Sequence, residues 1–251
     1  MKLSDFSVLS FDCYGTLIDW ESGIWSALEP LRARVGAAAG MGLARVSVEL
    51  TREDALAAFA RLESRQQEKT PDMAYPEVLA AVHGQLAAEW DVAADAAEDA
   101  AFGASIGDWP AFPDTAQALE YLKQHFRLVV LSNVDRAGFA ATQPWLGVAF
   151  DAVYTAQDIG SYKPDVRNFR YLLERLRERG VAPEQVLHVA QSLFHDHVPA
   201  NALNLASAWI DRRGGGGATA PVVGDVRWDF RFGSLGELAE AHMAEGDAGT
   251  A

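Results

Sequence analysis

The sequence has a single cysteine, Cys13, so no disulfide can form within the chain. No apolar run approaches the ~18 residues that a membrane-spanning helix needs. Asp5 and Asp12 interrupt the first apolar stretch, which argues against a secretory signal. Basic residues are outnumbered, 21 against 35 acidic ones, for a formal net charge of −14, so no basic stripe is available for nucleic-acid phosphates. We therefore expect a cytoplasmic protein with neither nucleic acid nor membrane as a partner.

Short apolar runs predict the strands of a sheet. With 251 residues, 49% of them apolar, the chain can form one large domain or a core domain with a modest insertion. Segments with helical periodicity alternate with the apolar runs, a pattern typical of an α/β fold with a parallel sheet. One such segment, Asn168–Arg179, places Phe169, Leu172, Leu173 and Leu176 on one helix face. The predicted strands are Val8–Phe11, Leu128–Leu131, Ala152–Thr155, Val186–Ala190 and Ala206–Ile210.

The stretch between the first two predicted strands has a different character. It is rich in alanine and poor in strand signals, with helices predicted near 22–35, 51–69, 75–90 and 93–103. We therefore predict a Rossmann-like core from residues 1–18 and 112–251, and an inserted helical cap from residues 19–111, which we call the cap segment. Beyond a loop at Gly214–Gly217, the sequence predicts a last strand at Val226–Phe230 and a helix at Ser234–Met243, capped by Ser234 and Glu237.

A carboxylate follows the first strand directly. Asp12 can act as a nucleophile that forms a covalent ester, or it can merely cap the turn that follows. Gly15 permits a sharp turn, and Thr16 can hydrogen-bond either the turn or a ligand. Tyr14 is either a packing residue or a pocket wall. Ligands sit at the carboxyl ends of the strands in open α/β sheets, so this turn is a candidate site.

Polar residues follow three further apolar segments. Ser132 and Asn133 form a donor set for an anion or, alternatively, a helix N-cap. Lys163 precedes a proline that restricts it to extended conformations; it can reach Asp12 and keep it ionised, or it can be a surface lysine. Asp196 can orient a hydrolytic water or hold a metal, while His195 beside it is either a base or a plain loop residue.

Together these segments resemble the four ordered motifs of the haloacid dehalogenase superfamily. The matching stretches are Phe11–Leu17, Leu131–Asn133, Tyr162–Asp165 and Val189–Ala200. Within the superfamily the sequence is most similar to the L-2-haloacid dehalogenases, or type II haloacid dehalogenases. Phosphatases of the superfamily usually have a second aspartate where this chain has Tyr14, and a magnesium-binding acidic residue where it has Gln191. An amide is a poor replacement for a carboxylate at a hard divalent cation.

The resemblance implies a hydrolase that converts short 2-haloacids to 2-hydroxy acids. Asp12 would displace the halide from the opposite face of the carbon, and water would then hydrolyse the aspartyl ester. By the same resemblance Lys163 would keep Asp12 ionised and Asp196 would orient the water. No cofactor is implied, the substrate is a small anion, and a homodimer is possible. The substrate-binding residues that the resemblance implies are Tyr14, Thr16, Ser132, Asn133 and Ser192.

Two other functions remain open. One is a magnesium-dependent phosphatase acting on small molecules, with Asp12 and Asp196 as metal ligands. The other is a regulatory protein that keeps the fold without turnover. The second is suggested by departures from the family: Phe169 stands where an aromatic hydroxyl is usual, and the fourth motif is one residue longer. The family also uses a cap arginine against the halide, for which Arg61 and Arg65 are candidates.

Overall fold

The computed structural model describes residues 1–40, 50–214 and 225–248, which form a six-stranded parallel sheet and its flanking helices. The strand order is β3-β2-β1-β4-β5-β6, and every neighbouring pair is parallel. The α/β fold with a Rossmann-like parallel sheet is thereby confirmed. The strands are β1 (Val8–Phe11), β2 (Arg127–Ser132), β3 (Ala152–Thr155), β4 (Val186–Ala190), β5 (Ala206–Ile210) and β6 (Phe230–Phe232).

The central strands are buried on both faces, which explains their unbroken apolar runs. In β1, Leu9 and Phe11 belong to one hydrophobic core cluster, whereas Val8 belongs to a second core cluster. In β1 and β4 the runs are interrupted by Ser10 and by His188, its register partner. Their side chains hydrogen-bond each other, with Ser10 Oγ 2.8 Å from His188 Nδ1, so neither polar group is left unpaired in the core.

Six α-helices follow the cap segment in the described part of the chain. The helix predicted at Asn168–Arg179 is confirmed as Val166–Glu178, and three of its four apolar positions are buried, with Leu173 only partly so. The last strand begins at Phe230, later than predicted. At the start of the last helix, Ser234 Oγ accepts the N–H of Glu237, and the Glu237 carboxylate accepts the N–H of Gly233. Of the predicted loop at 214–217 only Gly214 lies within the described residues. The helices are α6 (Thr115–Leu122), α7 (Arg136–Leu146), α8 (Ala156–Ile159), α9 (Val166–Glu178), α10 (Val198–Ala202) and α11 (Leu235–Ala248).

The described part of the cap segment consists mainly of helices. The single helix predicted near 22–35 is wrong, because the chain breaks at Leu28 and Pro30 opens a new helix in its first turn, where a missing N–H costs nothing. The cap helices are α1 (Trp20–Ala27), α2 (Glu29–Gly40), α3 (Arg52–Lys69), α4 (Tyr75–Glu89) and α5 (Ala96–Gly103). Within 1–40, 50–214 and 225–248, no helix is both long enough and apolar enough to cross a membrane.

Two chain crossings lie side by side where the cap segment leaves and rejoins the sheet. Ile18 and Ala111 form an antiparallel bridge. The N–H of Asp19 donates to the carbonyl of Pro110 at 2.8 Å, and the N–H of Phe112 donates to that of Leu17 at 3.0 Å. The crossings are therefore paired with each other. The domain boundaries at 18/19 and 111/112 stay a prediction.

Close packing near these crossings predicts unequal effects of two glycine substitutions. Gly23 in α1 lies against the indole ring of Trp109, which a methyl group would overlap, whereas Gly36 in α2 is exposed with nothing within 4 Å. We expect Gly23→Ala to lower the free energy of unfolding by about 1–3 kcal/mol through overpacking. Gly36→Ala is the control and should raise it by about 0.5–1 kcal/mol, because alanine favours the helix. Urea unfolding measures both, and equal effects would contradict the packing described.

Candidate active site

Asp12 stands at the carboxyl end of β1, in the middle of the sheet. Its backbone N–H donates to the carbonyl of Val189 at the end of β4, which extends the strand pairing to the turn itself. The carboxylate has one partner on each oxygen: Lys163 Nζ donates to Oδ1 at 2.8 Å and Thr16 Oγ1 donates to Oδ2 at 2.7 Å. Two donors from different parts of the chain thus fix the orientation of the carboxylate, while each oxygen keeps a lone pair.

The turn after Asp12 is held from both sides. Gly15 has a φ of +100°, a conformation that only glycine adopts without strain, and a side chain there would press on Trp20 and Gln191. Thr16 Oγ1 accepts the N–H of Gln191 at 2.9 Å while it donates to Asp12. Arg212 donates twice to the carbonyl of Thr16, at 2.8 and 3.2 Å. The threonine therefore ties Asp12 to the segment that follows β4.

Lys163 is a buried cation with no free proton. Its ammonium donates to Asp12 Oδ1, to Asp196 Oδ1 at 2.7 Å and to the carbonyl of Leu131 at 3.0 Å. The residue is only 2% exposed, so the surface-lysine alternative is excluded. An ammonium has three protons, and all three are used. Lys163 can therefore stabilise Asp12, but it has no donor left for a substrate.

Asp196 is completely buried and lies at the centre of a polar chain below the cavity. Its Oδ1 accepts from Lys163 and from His188 Nε2 at 3.0 Å, and His188 in turn contacts Ser10. Its Oδ2 is buried without a hydrogen-bond partner, although Asp196 lines the cavity. A buried carboxylate oxygen without a donor is costly, so this atom is suited to hold a water molecule or a substrate group.

The three charged groups shift one another's protonation. Burial alone would lower the pKa of Lys163, but the carboxylates of Asp12 and Asp196 raise it, so the ammonium stays charged. Burial alone would raise the pKa of Asp196, but Lys163 and His188 hold it well below its usual range. Burial raises the pKa of Asp12 above its usual range even though Lys163 opposes this. Lys163 is thus shared by two carboxylates, and it stabilises the ionised form of Asp196 more than that of Asp12.

Ser132 is the last residue of β2, and Asn133 follows it beside Lys163. The two side chains differ in which hydrogen-bonding groups remain available to a ligand. Ser132 Oγ is buried in the cavity wall without a hydrogen-bond partner, so its hydroxyl is available to a ligand. Asn133 clamps the backbone of Lys163: its Nδ2 donates to the lysine carbonyl at 2.9 Å, and its Oδ1 accepts the lysine N–H at 2.6 Å. Asn133 also lines the cavity. Because its side chain already makes two hydrogen bonds to the backbone of Lys163, it has only one amide proton left for a ligand.

The extra residue of the fourth motif is taken up by a π-helical turn, Leu193–His197. Such wide turns accommodate one additional residue in a helix and are frequent at functional sites. Ser192 caps the turn, with Oγ accepting the N–H of His195 and lying 3.1 Å from His195 Nδ1. Ser192 and His195 both line the cavity, but the serine oxygen is already engaged. Burial lowers the pKa of His195 to about 4, so this imidazole is neutral at physiological pH.

Tyr14 lines the cavity, and its hydroxyl is hydrogen-bonded to a neighbouring helix. The hydroxyl lies 2.8 Å from Thr142 Oγ1 in α7, and the ring meets Trp109 edge to face at 5.6 Å. Burial raises the pKa of Tyr14 well above its usual range. A side chain so placed cannot take the acid–base part of a second aspartate. It serves as a wall, one of the two alternatives that the sequence left open.

The cavity between these residues and the cap segment is small, about 110 Å³, against about 300–1,000 Å³ for common ligand pockets. Its core wall contains all the predicted catalytic residues and four of the five predicted substrate-binding residues; Thr16 lies behind Asp12 instead. Its cap wall contains no arginine among the described residues. Arg61 is exposed and pairs with Glu89, and Arg65 is exposed as well, so both candidate halide arginines are wrong. The cap wall consists of Trp20, Phe59, Ala60, Glu63, Ser64, Gln67 and Tyr75.

Sequence reasoning missed a carboxyl group in this cap wall. Glu63 Oε1 accepts the hydroxyl proton of Tyr75 at 2.5 Å, and Gln67 Nε2 lies 3.4 Å away. Burial raises the pKa of Glu63 to about 7, although the Tyr75 hydrogen bond opposes the shift. A signal for the pair is present in the sequence: Glu63 and Gln67, one turn apart on α3, are polar positions close to the buried Phe59. His188 was missed too, and a histidine inside an apolar strand is the corresponding signal.

The shared lysine predicts a pH-dependent loss of stability. Lys163→Met leaves two buried carboxylates without a cation, so we expect about 3–5 kcal/mol less free energy of unfolding at pH 7. The carboxyl pKa values then rise in the folded state, so the loss shrinks as the pH falls and the groups protonate. Urea unfolding at pH 7 and pH 5 measures this.

Two further variants sharpen that experiment. Adding Asp196→Asn to Lys163→Met should recover part of the lost stability, because only one carboxylate then remains. Lys123→Met is the control: it removes an exposed ion pair with Asp151 and should cost less than about 1 kcal/mol at either pH. A Lys163→Met loss of the same size as that of the control would show that the buried pair is not strongly coupled.

Comparison with known proteins places this arrangement in a wider context. The family profile described as haloacid dehalogenase-like hydrolase matches residues 6–190, well over half of the chain. A search of curated proteins finds no match.

Solved structures resemble the whole chain. The L-2-haloacid dehalogenase PA0810 has a TM-score of 0.74 at 22% identity and covers 95% of this chain and 99% of its own. The L-2-haloacid dehalogenase from Xanthobacter autotrophicus with chloropropionic acid covalently bound has a TM-score of 0.74 at 19% identity, covering 96% and 99%. The HAD-hydrolase YfnB from Bacillus subtilis, bound to magnesium, has a TM-score of 0.70 at 19% identity, covering 94% and 98%. At such identities the likeness establishes the fold.

Proposed function

Because the chain belongs to the haloacid dehalogenase-like hydrolases, we propose that it hydrolyses the carbon–halogen bond of short 2-haloacids through an aspartyl ester on Asp12. The single observation that carries this proposal is the position of Lys163. Its ammonium lies between Asp12 and Asp196, at 2.8 and 2.7 Å from their oxygens. A cation built into the protein thus already engages one oxygen of each carboxylate, so Asp12 can be held ionised without a divalent ion.

The donor set around Asp12 does not suit magnesium. Hard divalent cations need several oxygen ligands, mostly carboxylates. Here the Oδ1 atoms of both carboxylates accept from Lys163, and Gln191 supplies an amide near them. Among residues 1–40, 50–214 and 225–248 there is no cluster of three or more His, Cys, Asp or Glu side chains able to hold a metal ion. We therefore derive no step through a metal.

The first half-reaction is a displacement at saturated carbon. The carboxylate of the 2-haloacid accepts from the unpaired Ser132 hydroxyl and from the remaining amide proton of Asn133. An oxygen of Asp12, oriented by Thr16 and Lys163, attacks C2 from the side opposite the halogen. The C–O bond forms, the carbon–halogen bond breaks, and the halide leaves with the bonding pair.

The second half-reaction hydrolyses the ester. Asp196 Oδ2, which is buried and unpartnered, accepts a hydrogen bond from a water molecule and orients it toward the ester carbonyl. Lys163 stabilises the charge that develops on the Asp12 carbonyl oxygen. The water oxygen bonds to the ester carbonyl carbon, and the bond from that carbon to the substrate oxygen breaks. One water proton goes to the hydroxyl of the departing 2-hydroxy acid and the other to solvent, which restores the Asp12 carboxylate. The small cavity agrees with a substrate of only a few carbon atoms.

The magnesium-dependent phosphatase remains the second candidate, and a specific observation favours it: the similar structure of YfnB is bound to magnesium. Two features of this chain weigh against it. The hydroxyl of Tyr14 is hydrogen-bonded to Thr142 and cannot protonate a leaving alcohol, and Lys163 already engages Oδ1 of both Asp12 and Asp196. The homodimer and the cytoplasmic location remain predictions.

Asp12→Asn is expected to abolish halide release, because an amide is not a competent nucleophile. Halide release from 2-chloropropionate should fall by at least about 10³-fold, while circular dichroism shows the fold retained. Mass spectrometry of quenched wild-type enzyme should detect an ester on the peptide that contains Asp12. Asp108→Asn, outside the cavity lining, is the matched control and should keep full activity. An ester found on another residue would refute the role of Asp12.

Metal dependence separates the two candidate functions. Dehalogenation should proceed at an unchanged rate in excess chelator, since no step uses a metal. Hydrolysis of p-nitrophenyl phosphate that requires added magnesium and disappears with chelator, without any halide release from chloro-, bromo- or fluoroacids, would instead establish the phosphatase.

A further inference from the structure

The direction of the displacement decides where the halide goes. Asp12 lies in the core wall of the cavity, and attack from behind the carbon–halogen bond sends the leaving group away from it. The opposite wall is formed by the cap residues, chiefly from α1, α3 and α4. Negative charge therefore develops against the cap wall during the reaction. This step rests on the dehalogenation proposed above.

The cap wall has no cation to receive this charge. No lysine or arginine of the described cap residues lines the cavity, and Arg61 is turned outward to Glu89. Lys163 in the core wall has already used its three protons. The neutral donors of the cap wall are the indole N–H of Trp20, the hydroxyl of Ser64 and the amide of Gln67. One further group, Glu63, could either repel the halide or bind it, depending on whether it carries a proton.

The hydrogen bonds of Glu63 determine where its proton would sit. Oε1 accepts the Tyr75 hydroxyl proton at 2.5 Å, with Gln67 Nε2 at 3.4 Å. Both hydrogen bonds between the Glu63 carboxyl group and other described residues go to Oε1 and none to Oε2, and Glu63 lines the cavity. An oxygen that already accepts from Tyr75 is a poor place for a proton, so the acid proton belongs on Oε2. Protonated Glu63 thus presents an O–H donor to the cavity.

We propose that protonated Glu63 donates a hydrogen bond to the departing halide and takes the place of a cationic halide site in this enzyme. In the step itself, the Asp12 oxygen–carbon bond forms, the carbon–halogen bond breaks, and the halide leaves with the electron pair while it accepts the Glu63 O–H. The proton stays on Glu63. When Glu63 is ionised it repels the halide, so only the protonated form supports the displacement.

The surroundings of Glu63 support a change of charge near neutral pH. Burial raises the pKa of Glu63 to about 7. Two neighbouring groups in the cavity keep one charge state between pH 6 and pH 8, because burial lowers the pKa of His195 to about 4 and raises that of Tyr75 well above its usual range. The cavity also contains Tyr14, whose pKa burial raises, and the charged groups of Lys163 and Asp196; Tyr162 lies outside the cavity lining but interacts electrostatically with Glu63, and burial raises its pKa too. Ionisation of Asp12, whose pKa burial also raises, would speed the displacement as the pH rises, which is the opposite of the fall expected from Glu63.

A pH profile with matched variants tests the proposal. The rate of ester formation from 2-chloropropionate should fall in wild type as the pH rises through about 7. Glu63→Gln keeps an N–H donor and cannot ionise, so its rate should stay within a few-fold of the low-pH wild-type rate and show no fall. Tyr75→Phe removes the bond that stabilises the ionised form and should move the fall to higher pH. Glu53→Gln, exposed on the same helix, is the control and should reproduce the wild-type profile.

Removing the donor altogether should slow the reaction most at low pH, where Glu63 is protonated in wild type. Glu63→Ala should slow ester formation roughly 10- to 100-fold at pH 6, the value of one hydrogen bond to a charged group. The proposal is overturned if Glu63→Gln shows the same alkaline fall as wild type, because that fall would then belong to another group.

Bromide binding gives a second readout that needs no turnover. Calorimetric titration of wild type with bromide should show affinity that falls roughly tenfold from pH 6 to pH 8, since only the protonated carboxyl binds. Glu63→Gln should bind bromide equally at both pH values. Wild-type affinity that does not change with pH overturns the role of Glu63. If no haloacid releases halide while bromide binding follows Glu63, the proposed function fails and the halide site stands.

Discussion

The ammonium of Lys163 is the interaction on which the remainder of the site depends. It joins three parts of the chain that are far apart in sequence: the turn after β1, the end of β2 and the π-helical turn after β4. Each of its protons has a buried acceptor, so its position admits little variation. Removing water from one cation and two carboxylates is expensive, and only this complete set of hydrogen bonds compensates for it. The backbone clamp by Asn133 places the lysine before any ligand arrives.

One cation for two carboxylates also gives the cavity its electrostatic character. The core wall carries an excess of negative charge, and the described cap wall adds a further carboxyl group rather than an arginine. An anionic substrate must then be held by neutral donors, of which the unpartnered Ser132 hydroxyl is the clearest. The polar chain through His188 to Ser10 extends this arrangement into the sheet and fixes Asp196 from below.

The core side of the site could be predicted from the sequence because parallel strands end at one edge of the sheet. Asp12, Ser132 and Asp196 each follow a strand, so their convergence needed only the α/β alternation and the order of the motifs. The additional residue of the fourth motif was visible in the sequence, but the π-helical turn that accommodates it was not. The break between α1 and α2 was missed, although Pro30 marks it.

The cap wall could not be predicted because it depends on how α3 rotates about its own axis. Arg61 and Glu63 are two positions apart, which on an α-helix places them on nearly opposite faces. Choosing Arg61 by analogy therefore selected the outward face, whereas the packing of Phe59 turns Glu63 inward. Helix periodicity alone does not resolve such a choice when α3 packs on more than one neighbour.

The paired crossings at Ile18 and Ala111 give the turn after β1 a mechanical role as well as a chemical one. The backbone that carries Asp12 continues within a few residues into the cap segment, and Arg212 anchors it to the core through the Thr16 carbonyl. A displacement of the cap helices relative to the sheet would therefore also displace the threonine that orients the carboxylate. Contact between a ligand and the cap segment and the alignment of the attacking oxygen are coupled through these two backbone crossings.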